Sequence, residues 1–301
     1  MAWPFATRQA ATLSFATNLS ALLEMRHFCG KEREFHMATY VLIHAGFHGG
    51  WCWERVKPLL ETAGHTVYVP TLTGFAERAA ELSPDVGLQT HIQEVVELLS
   101  TRDLHEVILV GHSYSGMVIT GAVDAMPERI AHLVYLDAVV PRDGEAMADI
   151  VPRQIQRFRA QAKARGDGWR VDPPRQMPFG IKGIYGVTTE PDLSRVRRMV
   201  SPQSLLTFEQ ALHLKNPAIV SSKPRTHIYC TGGGAILSLM RHLGARRTLP
   251  PREPGWRLRR LPTGHDAMIT MPRELADLLL EAATVSEIGS DVSRMAKRGR
   301  A

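Results

Sequence analysis

Cysteine is scarce. The three residues Cys29, Cys52 and Cys230 are odd in number and far apart in a chain of 301. That count argues against a disulfide framework or a zinc site and fits a reducing compartment, so a cytoplasmic location is expected. No apolar run approaches the ~18 residues that a membrane helix needs. Aromatic residues make up 7% of the chain, and the basic clusters at 153–173, 194–198, 241–260 and 294–300 lack the regular aromatic interleaving that stacks nucleobases. Despite 36 Lys+Arg against 30 Asp+Glu, a net +6, neither a nucleic acid nor a membrane is expected as partner. There is no internal repeat and no low-complexity segment.

Acidic residues are missing from two stretches. None precedes Glu24, where Ala, Ser and Thr dominate, yet no continuous apolar segment of ~7–15 residues marks a secretory signal. Residues 1–36 therefore read as a peripheral extension or an upstream start-site artefact, with a transit-like peptide as the alternative. Met37 opens a strand-like run that makes a natural chain start. The second acid-free stretch, from Lys223 to Glu253, bears on the chemistry below.

With 44% hydrophobic residues there is ample material for a large core. From Met37 onward short β-branched runs alternate with helix-period segments, the pattern of a parallel sheet covered on both faces. Strands are expected at Tyr40–His44, Thr66–Val69, Val107–Val110, Leu133–Leu136, Thr226–Cys230 and Trp256–Leu261. Helices are expected near Trp53–Ala63, closed by Gly64, near Leu88–Ser100, from Ser115 to about Met126, and from about Pro272 to Ala283 with Leu275, Leu278 and Leu279 on one face. The stretch from Pro141 to Pro224, with several prolines, Arg-rich patches and scattered aromatics (Phe158, Trp169, Phe179, Tyr185, Phe208), reads as an insertion over the carboxyl edge of the sheet. The organisation is then an extension 1–36, an α/β domain 37–285 with its cap at about 141–224, and a basic tail 286–301.

The strongest chemical signal is the apolar strand 107–110 running into Gly111-His112-Ser113-Tyr114-Ser115-Gly116 and then into a helical pattern. A serine on a sharp strand-to-helix turn is strained, and the turn closes only when its flanking residues are small, as Gly111 and Ser115 are. The turn lifts the Ser113 hydroxyl above the sheet at a helix N-terminus, where negative charge is favoured. His44-Ala45-Gly46-Phe47-His48-Gly49-Gly50-Trp51 directly follows the first strand and supplies flexible backbone that can approach a substrate carbonyl. The oxyanion donors expected are the N–H groups of Gly46 and Tyr114. His44 and His48, four apart, suggest a metal pair, but the glycines around them argue against a helical face. His265, in Thr263-Gly264-His265-Asp266-Ala267, is the one of 13 histidines in a loop at the carboxyl end of a late strand, the place for a base serving Ser113.

Tyr40 to Trp53, Pro70-Thr71-Leu72-Thr73-Gly74, the Ser113 turn, Val134-Tyr135-Leu136-Asp137-Ala138 and Gly264-His265-Asp266-Ala267-Met268 together resemble the α/β-hydrolase superfamily. The resemblance is to the branch of plant methylesterases, hydroxynitrile lyases and bacterial carboxylesterases, over about residues 38–285. It implies an α/β-hydrolase fold with a mostly parallel sheet, a helical cap after the sixth strand, a cofactor-free Ser-His-acid enzyme, a small-molecule ester as substrate and, in some members, a homodimer.

The chain departs from the family at the acid. Many members carry it after the strand corresponding to Thr226–Cys230, but here Thr231-Gly232-Gly233-Gly234-Ala235 follows. The candidate is Asp137, at the end of the preceding strand. Its alternative role is to cap that strand end, and a local frame error over the Arg-rich residues 235–252 is the other explanation for the missing acid.

The lyases of this branch that are most similar place a threonine where this chain has Ala45 and a lysine where it has Asp266. An acidic residue there repels a departing cyanide, so ester hydrolysis is expected over cyanohydrin cleavage. A non-catalytic ligand-binding homologue commonly lacks the serine or the histidine, both kept here. A dinucleotide fold is disfavoured because Gly232-Gly233-Gly234 lacks the later glycine and the acidic ribose ligand. Phe47, Trp51, Tyr114, Met268 and the cap aromatics suggest an apolar acyl or alcohol pocket. Each of them fits ordinary core equally well.

Overall fold

The computed structural model describes residues 37–174, 183–232, 251 and 253–283. The extension 1–36, the tail 286–301, Cys29, Phe179 and all of 235–252 but Pro251 lie outside the described residues. Eight strands are described: β1 Thr39–Ile43, β2 Thr66–Tyr68, β3 Val107–His112, β4 Ile130–Leu136, β5 Arg170–Val171, β6 Gln203–Ser204, β7 Arg225–Cys230 and β8 Trp256–Leu261. Six of them form one sheet in the order β2-β1-β3-β4-β7-β8 with every pair parallel, while β5 and β6 make a small antiparallel pair.

Side-chain alternation explains how both faces of this sheet are filled. Val41, Ile43, Leu109, Leu133 and Tyr135 enter one apolar cluster, and Tyr40, Leu42, Ile108, Val110, Val134 and Leu136 enter the other. Because both faces are covered, the central strand β3 is buried at all six residues and opens with the continuous apolar run 107–110.

The helices supply the covering faces. Helices α1 Lys57–Thr62, α2 Leu88–Thr101 and α3 Ser115–Ala125 precede β4. In α2, Leu88, Ile92, Val95 and Leu99 fall at spacings of four and three and are all buried against the first cluster. The segment expected as one helix from Trp53 to Ala63 is instead a 3-10 turn over Gly50–Trp53 followed by α1. Pro58 lies in the first turn of α1, where a missing N–H costs nothing, and Gly64 closes the helix at φ +89°.

The cap lies between β4 and β7, the fourth and fifth strands along the chain in this sheet. It carries α4 Met147–Ile150, α5 Pro152–Arg165, α6 Asp192–Met199, α7 Leu206–Glu209 and α8 Pro217–Ser222, along with the β5–β6 pair. After β8 come α9 Ala267–Thr270 and the helical residues 272–283, labelled α10. Leu275 and Leu279 of α10 are fully buried and Leu278 packs beside them at the edge of the second cluster.

Candidate active site

The register of β1 on β3 sets the geometry. Ile43 pairs with Gly111, so the chain three residues on from each, at Gly46 and at Tyr114, leaves two neighbouring strands at the same edge. Ser113 stands between β3 and α3 at φ +58°, a left-handed conformation that costs an L-residue about 1–3 kcal/mol. Three backbone hydrogen bonds hold it there. Ser113 N–H donates to Leu136 O at 3.1 Å, and its carbonyl accepts from Gly116 and Val139 N–H at 3.2 Å each. At about 0.5–1.5 kcal/mol apiece they are sufficient to offset the strain.

The small residues of the turn are required by contact. A Cβ on Gly111 would lie 2.6 Å from Ser115 O, and one on Gly116 would collide with Val139 O. The Ser115 hydroxyl donates to His44 O, tying this turn to the end of β1.

His265 follows β8, and its Nδ1 lies 2.6 Å from Asp137 Oδ2. The Asp137 side chain is 1% exposed and that of His265 23%. Asp137 also accepts the Cys230 N–H on Oδ1 at 3.1 Å. The two roles weighed for Asp137 are thus combined: one carboxylate oxygen ties the end of β4 to β7 and the other meets the imidazole. Beyond β7, Gly232 donates its N–H to Thr263 O at 2.6 Å and lies so close to Thr263 and Gly264 that a Cβ would clash with them. The position two residues after β7 is therefore filled by the loop that carries His265.

No hydrogen bond joins the Ser113 hydroxyl to His265 in this structure. The two are linked through the intervening His112, whose ring lies 4.5 Å from that of His265 and whose Nε2–H donates to His265 O at 3.0 Å. Burial holds His112 well below the usual histidine range, and the nearby His265 and His48 lower it further. Contacts between a serine and its base commonly tighten only when substrate is bound.

The N–H groups of Gly46 and Tyr114 donate to no acceptor among the described residues, and both residues are buried. The next peptide, Gly46–Phe47, is held at both ends. Its carbonyl accepts from His48 Nδ1–H at 2.8 Å and its N–H donates to Gln203 Oε1 of the cap at 3.1 Å. Phe47 is strained at φ +66°.

Both histidines of the first motif are fully bonded. His44 Nδ1–H donates to Ala45 O, and Nε2 accepts the Leu72 N–H. Burial is the main cause that pushes His44 down to about 3, so it is a neutral imidazole. His48 behaves oppositely. Burial alone would lower it, but Asp266, through its charge and its 3.1 Å hydrogen bond, together with the Gly46 carbonyl, raises it above the ordinary value. Asp266 is fully buried, so the anion expected to face a leaving group is instead paired with His48. The case against a lyase then rests on the missing threonine and lysine, and no longer on repulsion.

The aromatic candidates separate. Phe47, Tyr114, Phe158 of α5 and Phe208 of α7 form one cluster with ring centroids 5.2–6.0 Å apart. Met268 is core in the second cluster, and Trp51 stacks on His48. Sequence reasoning missed Gln203 and the His48–Asp266 pair, and it named Tyr185 only as a cap aromatic. Tyr185 accepts the Asp266 N–H on its carbonyl, and its ring packs on His48. Cys52 and Cys230 are both buried.

A parallel sheet carrying a strained serine turn beside a partly exposed imidazole paired with a buried carboxylate defines a hydrolase-type scaffold, and comparison with known proteins agrees. The chain belongs to the alpha/beta hydrolase family, whose pattern matches residues 40–278. It is 36% identical over 252 residues to the "Carbendazim hydrolyzing esterase" of Nocardioides sp. (strain SG-4G), covering 81% of this chain and 98% of that one. It is 27% identical over 260 residues to "Salicylic acid-binding protein 2" of Nicotiana tabacum, covering 81% and 96%. An extracellular alpha/beta-hydrolase from a Paenibacillus species superposes with a TM-score of 0.67 at 24% identity over 81% of this chain and 98% of that chain, a likeness of fold.

Proposed function

We propose that the protein is a carboxylic-ester hydrolase acting through an acyl-enzyme on Ser113. The observation that carries this reading is the 2.6 Å bond from His265 Nδ1 to Asp137, next to a serine held at φ +58°. With Nδ1–H given to the carboxylate, the Nε2 lone pair of His265 is left free to take a proton.

In this mechanism His265 Nε2 takes the Ser113 proton as Oγ attacks the ester carbonyl. The charge that develops on the carbonyl oxygen is held by the Gly46 and Tyr114 N–H groups. On collapse the C–O bond to the alcohol breaks and the imidazolium returns its proton to the leaving oxygen. Water, deprotonated by the same histidine, then attacks the acyl-serine and releases the acid. Asp137 stays ionised throughout and stabilises the imidazolium.

The aromatic cluster begins at Phe47 and Tyr114, the residues that follow Gly46 and Ser113 in sequence. It supports esters with an aromatic or bulky apolar group, and the substrate named for the Nocardioides relative makes carbendazim a reasonable assay compound. The test is fluorophosphonate labelling with peptide mapping, joined to turnover of short-chain and medium-chain p-nitrophenyl esters. A single adduct on Ser113 and loss of at least ~10³-fold in kcat for Ser113→Ala are expected. Turnover near wild type in Ser113→Ala would overturn the reading.

A further inference from the structure

The proposed chemistry uses one His–Asp pair, yet the structure holds a second one within the same loops. His48 and Asp266 are both fully buried, 218 residues apart in sequence and 3.1 Å apart in space. His48 faces an acceptor at each ring nitrogen, Gly46 O on one side and Asp266 Oδ2 on the other. An imidazole with two acceptors is satisfied only when doubly protonated, and the raised pKa of His48 agrees with that state. Asp266 is chemically joined to His265, the proposed base, and Gly46 is a proposed oxyanion donor. The pair therefore ties together the two loops whose separation matters most for the reaction.

The clamp acts at a defined place. A peptide group rotates as a rigid plane, and the Gly46–Phe47 plane is gripped at its carbonyl by His48 and at its N–H by Gln203. The Gln203 oxygen also lies only 2.5 Å from where a Cβ on Gly46 would be, so any other residue there would have to displace the Gln203 amide that accepts the Phe47 N–H. With the following peptide fixed, rotation about Gly46, the most permissive residue type, is suppressed and its own N–H keeps one direction. Tyr185 and Trp51 close the surroundings: Asp266 N–H donates to Tyr185 O at 2.9 Å, and the Trp51 ring lies nearly parallel to His48 at 5.4 Å.

We propose that His48 and Asp266 are positioning residues whose buried pair fixes the Gly46 oxyanion donor relative to the base His265. This rests on the ester-hydrolase reading above. Neither residue touches the reacting atoms, so their removal should loosen transition-state stabilisation more than substrate binding.

The experiment compares the full-length protein with Asp266→Ala, Asp266→Asn and the double variant His48→Phe/Asp266→Ala. Each is titrated with a fluorophosphonate to count working sites, and kcat and KM are measured on p-nitrophenyl butyrate. The double variant leaves no buried charge unpaired and conserves the summed side-chain volume, so it is expected to fold. It lacks the donor to Gly46 O, and kcat per titrated site should fall about 10–100-fold, less than the ~10²–10³ for complete loss of one oxyanion donor. KM should stay within about threefold. Asp266→Asn can donate to His48 Nε2 while Nδ1–H still reaches Gly46, and should recover about tenfold over Asp266→Ala.

A kcat per site within threefold of wild type in the double variant, or a loss confined to KM, overturns the proposal. Should the double variant not fold, His48→Leu/Asp266→Leu, which likewise has no donor to Gly46 O and no buried charge, carries the same test with the same expected loss. Failure of the ester-hydrolase reading itself is recognised separately, because the wild-type protein then takes no label at Ser113.

Discussion

Asp137 is asked to do two things with one carboxylate, which makes its amide a sharp probe. Oδ1 accepts the Cys230 N–H and Oδ2 accepts the His265 Nδ1–H. An asparagine has one acceptor and one donor end, so either orientation sets two donors against each other. If the amide nitrogen faces the imidazole, His265 adopts the wrong tautomer and cannot take the Ser113 proton. Asp137→Asn is therefore expected to lower kcat by about 10³–10⁴-fold with a small change in KM, and to lower stability by about 1–3 kcal/mol. Steady-state kinetics and urea titration check both, and a variant with wild-type kcat would remove Asp137 from the mechanism.

Gly116 makes a second prediction at this scale. It has ordinary helical geometry, but a Cβ there would strike the Val139 carbonyl, whose own N–H donates to Ser113 O. Gly116→Ala must push the β4–cap connection away from the serine turn. Loss of a few kcal/mol in stability and a depressed rate of fluorophosphonate labelling are expected together. The need for small residues at Gly111 and Ser115 was legible from the turn itself. The need at Gly116 was not, because it comes from a residue 23 positions away.

At the scale of elements, the inner strands β1, β3 and β4 were readable because strands covered on both faces carry continuous apolar runs. The start of β4 was missed by three residues because His132 interrupts its run. That histidine is buried, sharing a 2.8 Å hydrogen bond with Thr226 Oγ1 of β7, a contact that no local pattern encodes. Ser113 and His265 were legible for the same local reason, each sitting where a strand ends in a small-residue loop. His48, Asp266 and Gln203 were not, since their pairings span the whole chain.

The cap offers the prediction that belongs here. Phe158 of α5 is the partly exposed member of the aromatic cluster, 5.7 Å from Phe47 and 5.2 Å from Phe208. Removing its ring opens space beside Phe47 without touching Ser113 or His265. Phe158→Ala should raise kcat/KM for p-nitrophenyl octanoate relative to the acetate by about tenfold, the size of a few methylenes of apolar contact. An unchanged ratio would place the acyl pocket elsewhere.

The whole molecule carries an acid liability built from buried histidines. His44 is pushed down to about 3 and His91 and His132 to about 4, while His112 lies well below the ordinary 6.5, with burial the largest cause in each. Between 6.5 and those folded values the unfolded chain binds protons that the native protein refuses. Stability must then fall as pH falls, each group contributing a slope approaching about 1.4 kcal/mol per pH unit. His48 has the opposite sign: its pKa is raised, so its contribution is present at low pH and is lost as pH climbs through its folded value. Among the described residues, one raised histidine against four lowered ones cannot reverse the trend, and a globular chain holds only about 5–15 kcal/mol in reserve. The urea midpoint, followed by tryptophan fluorescence at half-unit steps, should change little from pH 8 to 7 and drop steeply from pH 6.5 to 5. Equal midpoints at pH 7 and pH 5 would mean that these histidines are protonated in the folded protein, and with them the polar contacts of His44 and His112 at the edges of the site would have to be redrawn.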